Sequence, residues 1–106
     1  MTYNDRTHCG LLGLSDAGTT VILAGWVDAL RDHGDVLFIQ LRDRSGIVQV
    51  VFSPETASRD ICERAGQLKS EFCVLVKGDV IKRDQDNINT NITTGEIEVI
   101  ASDFTI

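Results

Sequence analysis

This chain of 106 residues contains no C-x-x-C pair, no apolar run long enough to cross a membrane, and no internal repeat or low-complexity tract. Residues 1–20 lack a basic start followed by an apolar stretch, so no secretory signal is expected and the cytosol is the default location. Cys9, Cys62 and Cys73 are widely spaced and His8 and His33 are isolated. The adjacent His8 and Cys9 find no further ligands at a metal-binding spacing, so no metal centre is expected and the cysteines read as reduced thiols. The same scarcity tells against a His–Cys hydrolase, which needs a third orienting group and an oxyanion site, and no catalytic residue is expected.

Bases are scarce as well. Ten Lys and Arg stand against 16 Asp and Glu, a net charge of −6. Phosphate contacts supply much of the affinity in nucleic-acid complexes, so tight autonomous RNA binding is not expected from this sum. The distribution is uneven. Asp5, Asp16, Asp28, Asp32 and Asp35 outnumber Arg6 and Arg31 early in the chain, whereas Lys77, Lys82 and Arg83 face only Asp79 and form a small basic edge.

The length suits one domain with a single modest core. Its most informative stretch runs from Arg31 to Val51, two strand patterns joined by the polar turn Arg42-Asp43-Arg44-Ser45-Gly46. Alternation puts Leu37, Ile39 and Leu41 on one face and Phe38 and Gln40 on the other; in the next strand Val48, Val50 and Phe52 point inward and Gln49 outward. An exposed ring beside an exposed amide suits an unpaired base, the ring through its π-face and the amide through hydrogen bonds. A ring in this place is also commonly covered by a loop or a neighbouring domain, and alternation alone leaves both readings open.

An earlier strand is expected over about Thr20–Leu30, with Val21, Leu23, Gly25, Val27 and Ala29 on one face, apolar residues on both, and Gly25 marking a coil or bulge. Ser53-Pro54-Glu55 has the residues of a helix start, and Ala57, Ile61, Ala65 and Leu68 form a buried stripe that ends near Gln67. A fourth strand is expected over Phe72–Lys82, with Phe72, Val74 and Val76 sharing a face and Gly78 as a bend. After the polar, Asn-rich stretch Asp84–Thr94, a fifth strand is expected over Glu96–Ala101, with Ile97, Val99 and Ala101 inward. Three strands, a helix and two strands define an all-β fold with one helix: the OB-fold, a five-stranded Greek-key barrel with a helix between strands 3 and 4, whose strand 2–3 face binds oligonucleotides or oligosaccharides. Phe38 and Gln49 lie on those two strands. The domain is expected to span residues 1–106, with 1–18 as an N-terminal extension.

Gly25-Trp26-Val27, Arg31-Asp32-His33-Gly34, Phe38-Ile39 and the long run Leu41-Arg42-Asp43-Arg44-Ser45-Gly46-Ile47-Val48-Gln49 resemble the N-terminal anticodon-binding domain of bacterial aspartyl-tRNA synthetases. Arg6-Thr7-His8-Cys9-Gly10, Asn87-Ile88-Asn89 and Thr94-Gly95-Glu96-Ile97-Glu98-Val99 fit the same pattern in order. The resemblance implies that Phe38 stacks on the central uracil of the anticodon and that Gln49 hydrogen-bonds to it. It implies that Glu98 reads the first base, a guanine, and that Arg31, Arg83 and Asn87 contribute contacts around the third base and the backbone. Lys82 joins them on the basic edge.

Two departures stand out. Asp28-Ala29-Leu30-Arg31 keeps only the last of a run of three arginines usual in the family, and Ile81 stands where an arginine is common. The large catalytic domain of such synthetases has no counterpart here, so this chain alone is not expected to activate aspartate. No cofactor is expected in it, since ATP and magnesium belong with the catalytic domain. The implied partners are the tRNA-Asp anticodon stem-loop, the catalytic domain of a parent ligase, and a second copy in a parent homodimer, with no membrane. The competing expectation is a standalone OB-fold paralogue that binds other single-stranded nucleic acid or a protein partner.

Overall fold

Alternating side chains curl the chain into a closed barrel whose order is β1-β2-β3-β5-β4. The computed structural model describes residues 3–106. The strands are β1 (Thr20–His33), β2 (Val36–Asp43), β3 (Gly46–Phe52), β4 (Cys73–Lys82) and β5 (Ile97–Thr105), and the helix α1 (Arg59–Ala65) falls between β3 and β4. All neighbouring pairs are antiparallel except β3 with β5, whose parallel pairing closes the barrel. This is the expected OB-fold.

Inward positions fill the barrel with Leu23, Val27, Ile39, Leu41, Val48, Val50, Phe52, Val76, Val80, Ile97 and Val99, all buried. Phe104 joins them and meets Phe52 edge-to-face with centroids 5.3 Å apart. Sequence alternation misses Phe104 because β5 runs past Ala101. A register shift against Lys77/Gly78 makes Ser102 an extra residue, so that Ala101 and Phe104 both point inward. Gly78 therefore lies at the bend expected of it.

Gly25 does not. The bulge of β1 falls between Val27 and Ala29. Gly25 instead allows a close strand approach, since a Cβ there would lie 2.3 Å from the Arg42 carbonyl oxygen. The bulge reverses the alternation that follows it. Ala29, expected inward, is exposed, and it pairs with Gln40 while Arg31 pairs with Phe38.

The helix starts later than Ser53-Pro54-Glu55 indicates. The Ser53 carbonyl accepts from the N–H groups of Thr56 and Ala57 at 3.1 and 2.9 Å, a closed turn. The cap is Ser58, whose hydroxyl accepts from the Ile61 N–H at 3.2 Å. Of the expected stripe Ile61, Ala65 and Leu68 are buried, whereas Ala57 is half-buried; Ala57 lies before the helix and Leu68 after it. Phe72 is not inward but exposed. Glu71 adopts φ 74°, which turns the chain just ahead of β4, and ladder pairing starts at Cys73.

The described part of the N-terminal extension, residues 3–18, forms short 3₁₀ turns against the barrel; residues 1–2 of that extension lie outside the described residues. The Thr7 N–H donates to the Ile22 carbonyl at 2.7 Å, and Cys9 and Leu12 are buried in the core. No helix among the described residues is long and apolar enough to cross a membrane.

Candidate nucleic-acid interface

The outward faces of β2, β3 and β5 carry Phe38 and Gln40, Gln49 and Val51, and Glu98 and Ile100. Val51 is buried and forms the floor between Phe38 on β2 and Ile100 on β5, its ladder partners. Phe38 and Gln49 are diagonal neighbours across the β2–β3 ladder, a spacing of roughly 7–8 Å. The Gln49 amide nitrogen donates to Glu98 Oε2 at 2.8 Å, which joins β3 to β5 through the two polar side chains.

One cleft of about 670 Å³ is lined by Arg31, Phe38, Gln49, Lys82, Arg83, Asn87 and Glu98, the seven residues singled out in the sequence. They come from β1, β2, β3, β5, the end of β4 and the segment after it. Arg31 reaches the cleft only because the β1 bulge rotates it outward; its guanidinium carbon lies 4.7 Å from the centroid of the Phe38 ring. Gln40 and Asn89 also line the cleft and were not singled out. For Gln40 a signal existed, since alternation puts it on the face of Phe38.

Arg83 is held differently from a surface cation. It is 8% exposed; Nε donates to the Ile97 carbonyl at 3.0 Å and Nη1 to the Asn87 carbonyl at 3.2 Å. It thereby pins the segment after β4 to the start of β5. Its Nη2 is a buried donor without a hydrogen-bond partner among the described residues. Burial lowers the Arg83 pKa from its ordinary value, opposed by the negative charge of Glu98.

Charges near the cleft are partly cancelled. Asp28 pairs with Arg42 across β1 and β2, with Nε–Oδ1 at 3.0 Å. Ile81 pairs with Glu98 in the β4–β5 ladder and is partly exposed, so the rim beside Glu98 is apolar where a cation is usual.

At the other end of β2, Asp43 accepts from the N–H groups of Cys9 and Ser45, both at 2.8 Å. Burial, reinforced by the Asp43 charge, pushes the Cys9 thiol far up from its ordinary value, so Cys9 stays a thiol and is no nucleophile. Among the described residues, no group of three or more His, Cys, Asp or Glu is placed to hold a metal ion.

A closed five-stranded barrel with an aromatic, an amide and a carboxylate on its strand 2–3–5 face defines a nucleic-acid-binding OB module. The chain belongs to the OB-fold nucleic acid binding domain family, whose model matches residues 21–106. Its curated relatives are aspartate–tRNA(Asp/Asn) ligases. It is 52% identical over its whole length to an aspartate–tRNA(Asp/Asn) ligase of Syntrophus aciditrophicus, of which it covers 15%. The chain thus spans about a sixth of the length of the curated relatives it matches. Among solved structures, asparaginyl-tRNA synthetase from Pyrococcus horikoshii superposes with a TM-score of 0.79 at 28% identity, over 95% of this chain and 22% of that one. An OBody bound to hen egg-white lysozyme superposes with a TM-score of 0.82 at 27% identity, over all of this chain and 96% of that one.

Proposed function

We propose that this chain binds the anticodon loop of tRNA-Asp on the β2–β3–β5 face and supplies tRNA recognition to a ligase that joins aspartate to that tRNA. Phe38 stacks the central base, Gln49 hydrogen-bonds to it, and Glu98 accepts from the Watson–Crick edge of the first base, a guanine. Arg31, Lys82 and Asn87 take the third base and the backbone. The observation that carries this reading is the meeting of all these side chains in one cleft.

The names of its relatives give both tRNA-Asp and tRNA-Asn as substrates. Their anticodons share the first two bases, the two that Glu98 and Gln49 would read, so a module built on these contacts suits either tRNA. ATP, magnesium and the chemistry of aspartate activation fall to the rest of such a ligase, which works in the cytoplasm and as a homodimer.

The test is binding of an anticodon stem-loop carrying GUC at low salt, against the same stem-loop with the central base changed. Preference for the GUC loop, lost in Phe38→Ala, supports the reading. Equal affinity for both loops removes base readout.

A further inference from the structure

The hydrogen bond between Gln49 and Glu98 restricts what the amide can read. A primary amide is ambidextrous. Its nitrogen donates and its oxygen accepts, and a half-turn about the last side-chain torsion exchanges them. Opposite a pyrimidine, the oxygen would accept from the imino N3–H of uracil, and the flipped nitrogen would donate to the bare N3 of cytosine. A free glutamine therefore discriminates poorly between the two bases.

Here the amide is not free. A carboxylate only accepts hydrogen bonds, so the group that Gln49 turns toward Glu98 has to be its NH₂, as the 2.8 Å contact to Oε2 records. The flipped form would set the amide oxygen against a carboxylate oxygen, two acceptors with no proton between them. Gln49 lies on β3, with Glu98 on β5 to one side and Phe38 on β2 to the other. With the nitrogen drawn toward β5, the oxygen is the end left for a base lying on Phe38.

We infer that Glu98 is a positioning residue for Gln49: it locks the amide in the orientation that accepts from a base imino group, and so selects uracil over cytosine at the base stacked on Phe38. This rests on the reading that a base stacks there, and it gives Glu98 a second task besides any contact of its own with the neighbouring base. Glu98 acts on the central base without touching it.

The experiment uses stem-loops with an abasic first anticodon position, which removes any direct Glu98 contact, and with either uracil or cytosine in the centre. The wild-type chain is expected to bind the uracil loop on the order of tenfold more tightly, the penalty for one polar group left unpaired. In Glu98→Gln, whose amide can face Gln49 in either orientation, the preference falls toward unity, read as the ratio of the two loop affinities within the variant so that any overall change in affinity cancels. An undiminished preference in Glu98→Gln overturns the lock and leaves base reading intact. No preference in the wild-type chain overturns base reading itself. Independently of any variant, the two Gln49 side-chain amide protons of the free protein should differ in solvent exchange, one of them protected by Glu98. Equal, fast exchange of both protons overturns the lock even if Glu98→Gln fails to fold.

Discussion

The Arg31 guanidinium lies 4.7 Å from the centroid of the Phe38 ring, its cross-strand partner on β2. Phe38 is half-buried, and a cation over a ring at the surface contributes about 0.5–1 kcal/mol, less than the roughly 1–3 kcal/mol of a base stacked on an aromatic. A base therefore displaces the guanidinium from any ring face the two compete for, and the released cation can pair with phosphate. Phe38→Ala should weaken stem-loop binding by about 1–3 kcal/mol at every salt concentration. Arg31→Ala should instead keep the base preference and reduce the slope of log K against log salt by about 0.7, the single-strand value for one phosphate contact. Titrations at several salt concentrations separate the two; an unchanged slope in Arg31→Ala excludes a phosphate role.

Asp28 and Arg42 form a two-pronged ion pair, Nε–Oδ1 3.0 Å and Nη2–Oδ2 3.4 Å, at the bulge of β1. Arg42 lies on the outward face of β2, two residues beyond Gln40, so Asp28 cancels a cation beside the cleft. Both side chains are partly exposed, and such pairs contribute only about 0.2–1 kcal/mol to stability. Asp28→Asn should therefore unfold at nearly the same temperature but bind the stem-loop more tightly, with a salt slope steeper by up to about 0.7. Unchanged affinity and slope would place Arg42 out of reach of the RNA.

Much of this site was legible because β2 and β3 alternate without interruption. Phe38, Gln40 and Gln49 follow from parity alone, and the helix stripe of Ile61, Ala65 and Leu68 follows from period. What stayed hidden depends on one-residue irregularities that parity cannot register. The bulge after Val27 brings Arg31 beside Phe38, the extra Ser102 sends Phe104 into the core, and the left-handed Glu71 keeps Phe72 out of it. The helix start was misplaced because Ser53 and Ser58 are both competent caps, and local composition does not show that the first closes a turn instead. Resemblance brought Arg83 into the site as a contact residue; its burial follows from three-dimensional packing that no local pattern encodes.

Asp43 predicts a pH dependence of stability. Burial alone would raise its pKa, but hydrogen bonds from the Ser45 hydroxyl and from the N–H groups of Cys9 and Ser45 outweigh it and hold the carboxyl below its ordinary 3.8. A folded pKa below the unfolded one means that the ionised group stabilises the fold fully above the unfolded value. That contribution is lost as pH falls below 3.8 and through the folded pKa. Thermal unfolding followed from about pH 5 downward should show wild type above Asp43→Asn at the start and a shrinking gap as the carboxyl protonates. A gap independent of pH would mean that the carboxylate charge is not what ties Cys9 to the β2–β3 turn.

Arg83 separates a contact role from a scaffolding role. Two of its donors hold backbone carbonyls, those of Ile97 and Asn87, and hydrogen bonds to charged groups contribute about 1.5–3 kcal/mol each. Arg83→Met fills similar space without those donors, so it should lower the unfolding temperature and speed amide exchange in residues 84–96, which the guanidinium helps to hold against β5. RNA affinity should fall with that loosening, because Asn87 and Asn89 line the cleft from this segment. Phe38→Ala, by contrast, should reduce affinity with no change in exchange there. If Arg83→Met reduces RNA affinity while stability and exchange stay at wild-type values, its Nη2, buried and without a partner among the described residues, is itself the contact to RNA, and the clamp on residues 84–96 is held by other bonds, such as the 2.6 Å contact of the Thr94 hydroxyl to the Ile47 carbonyl.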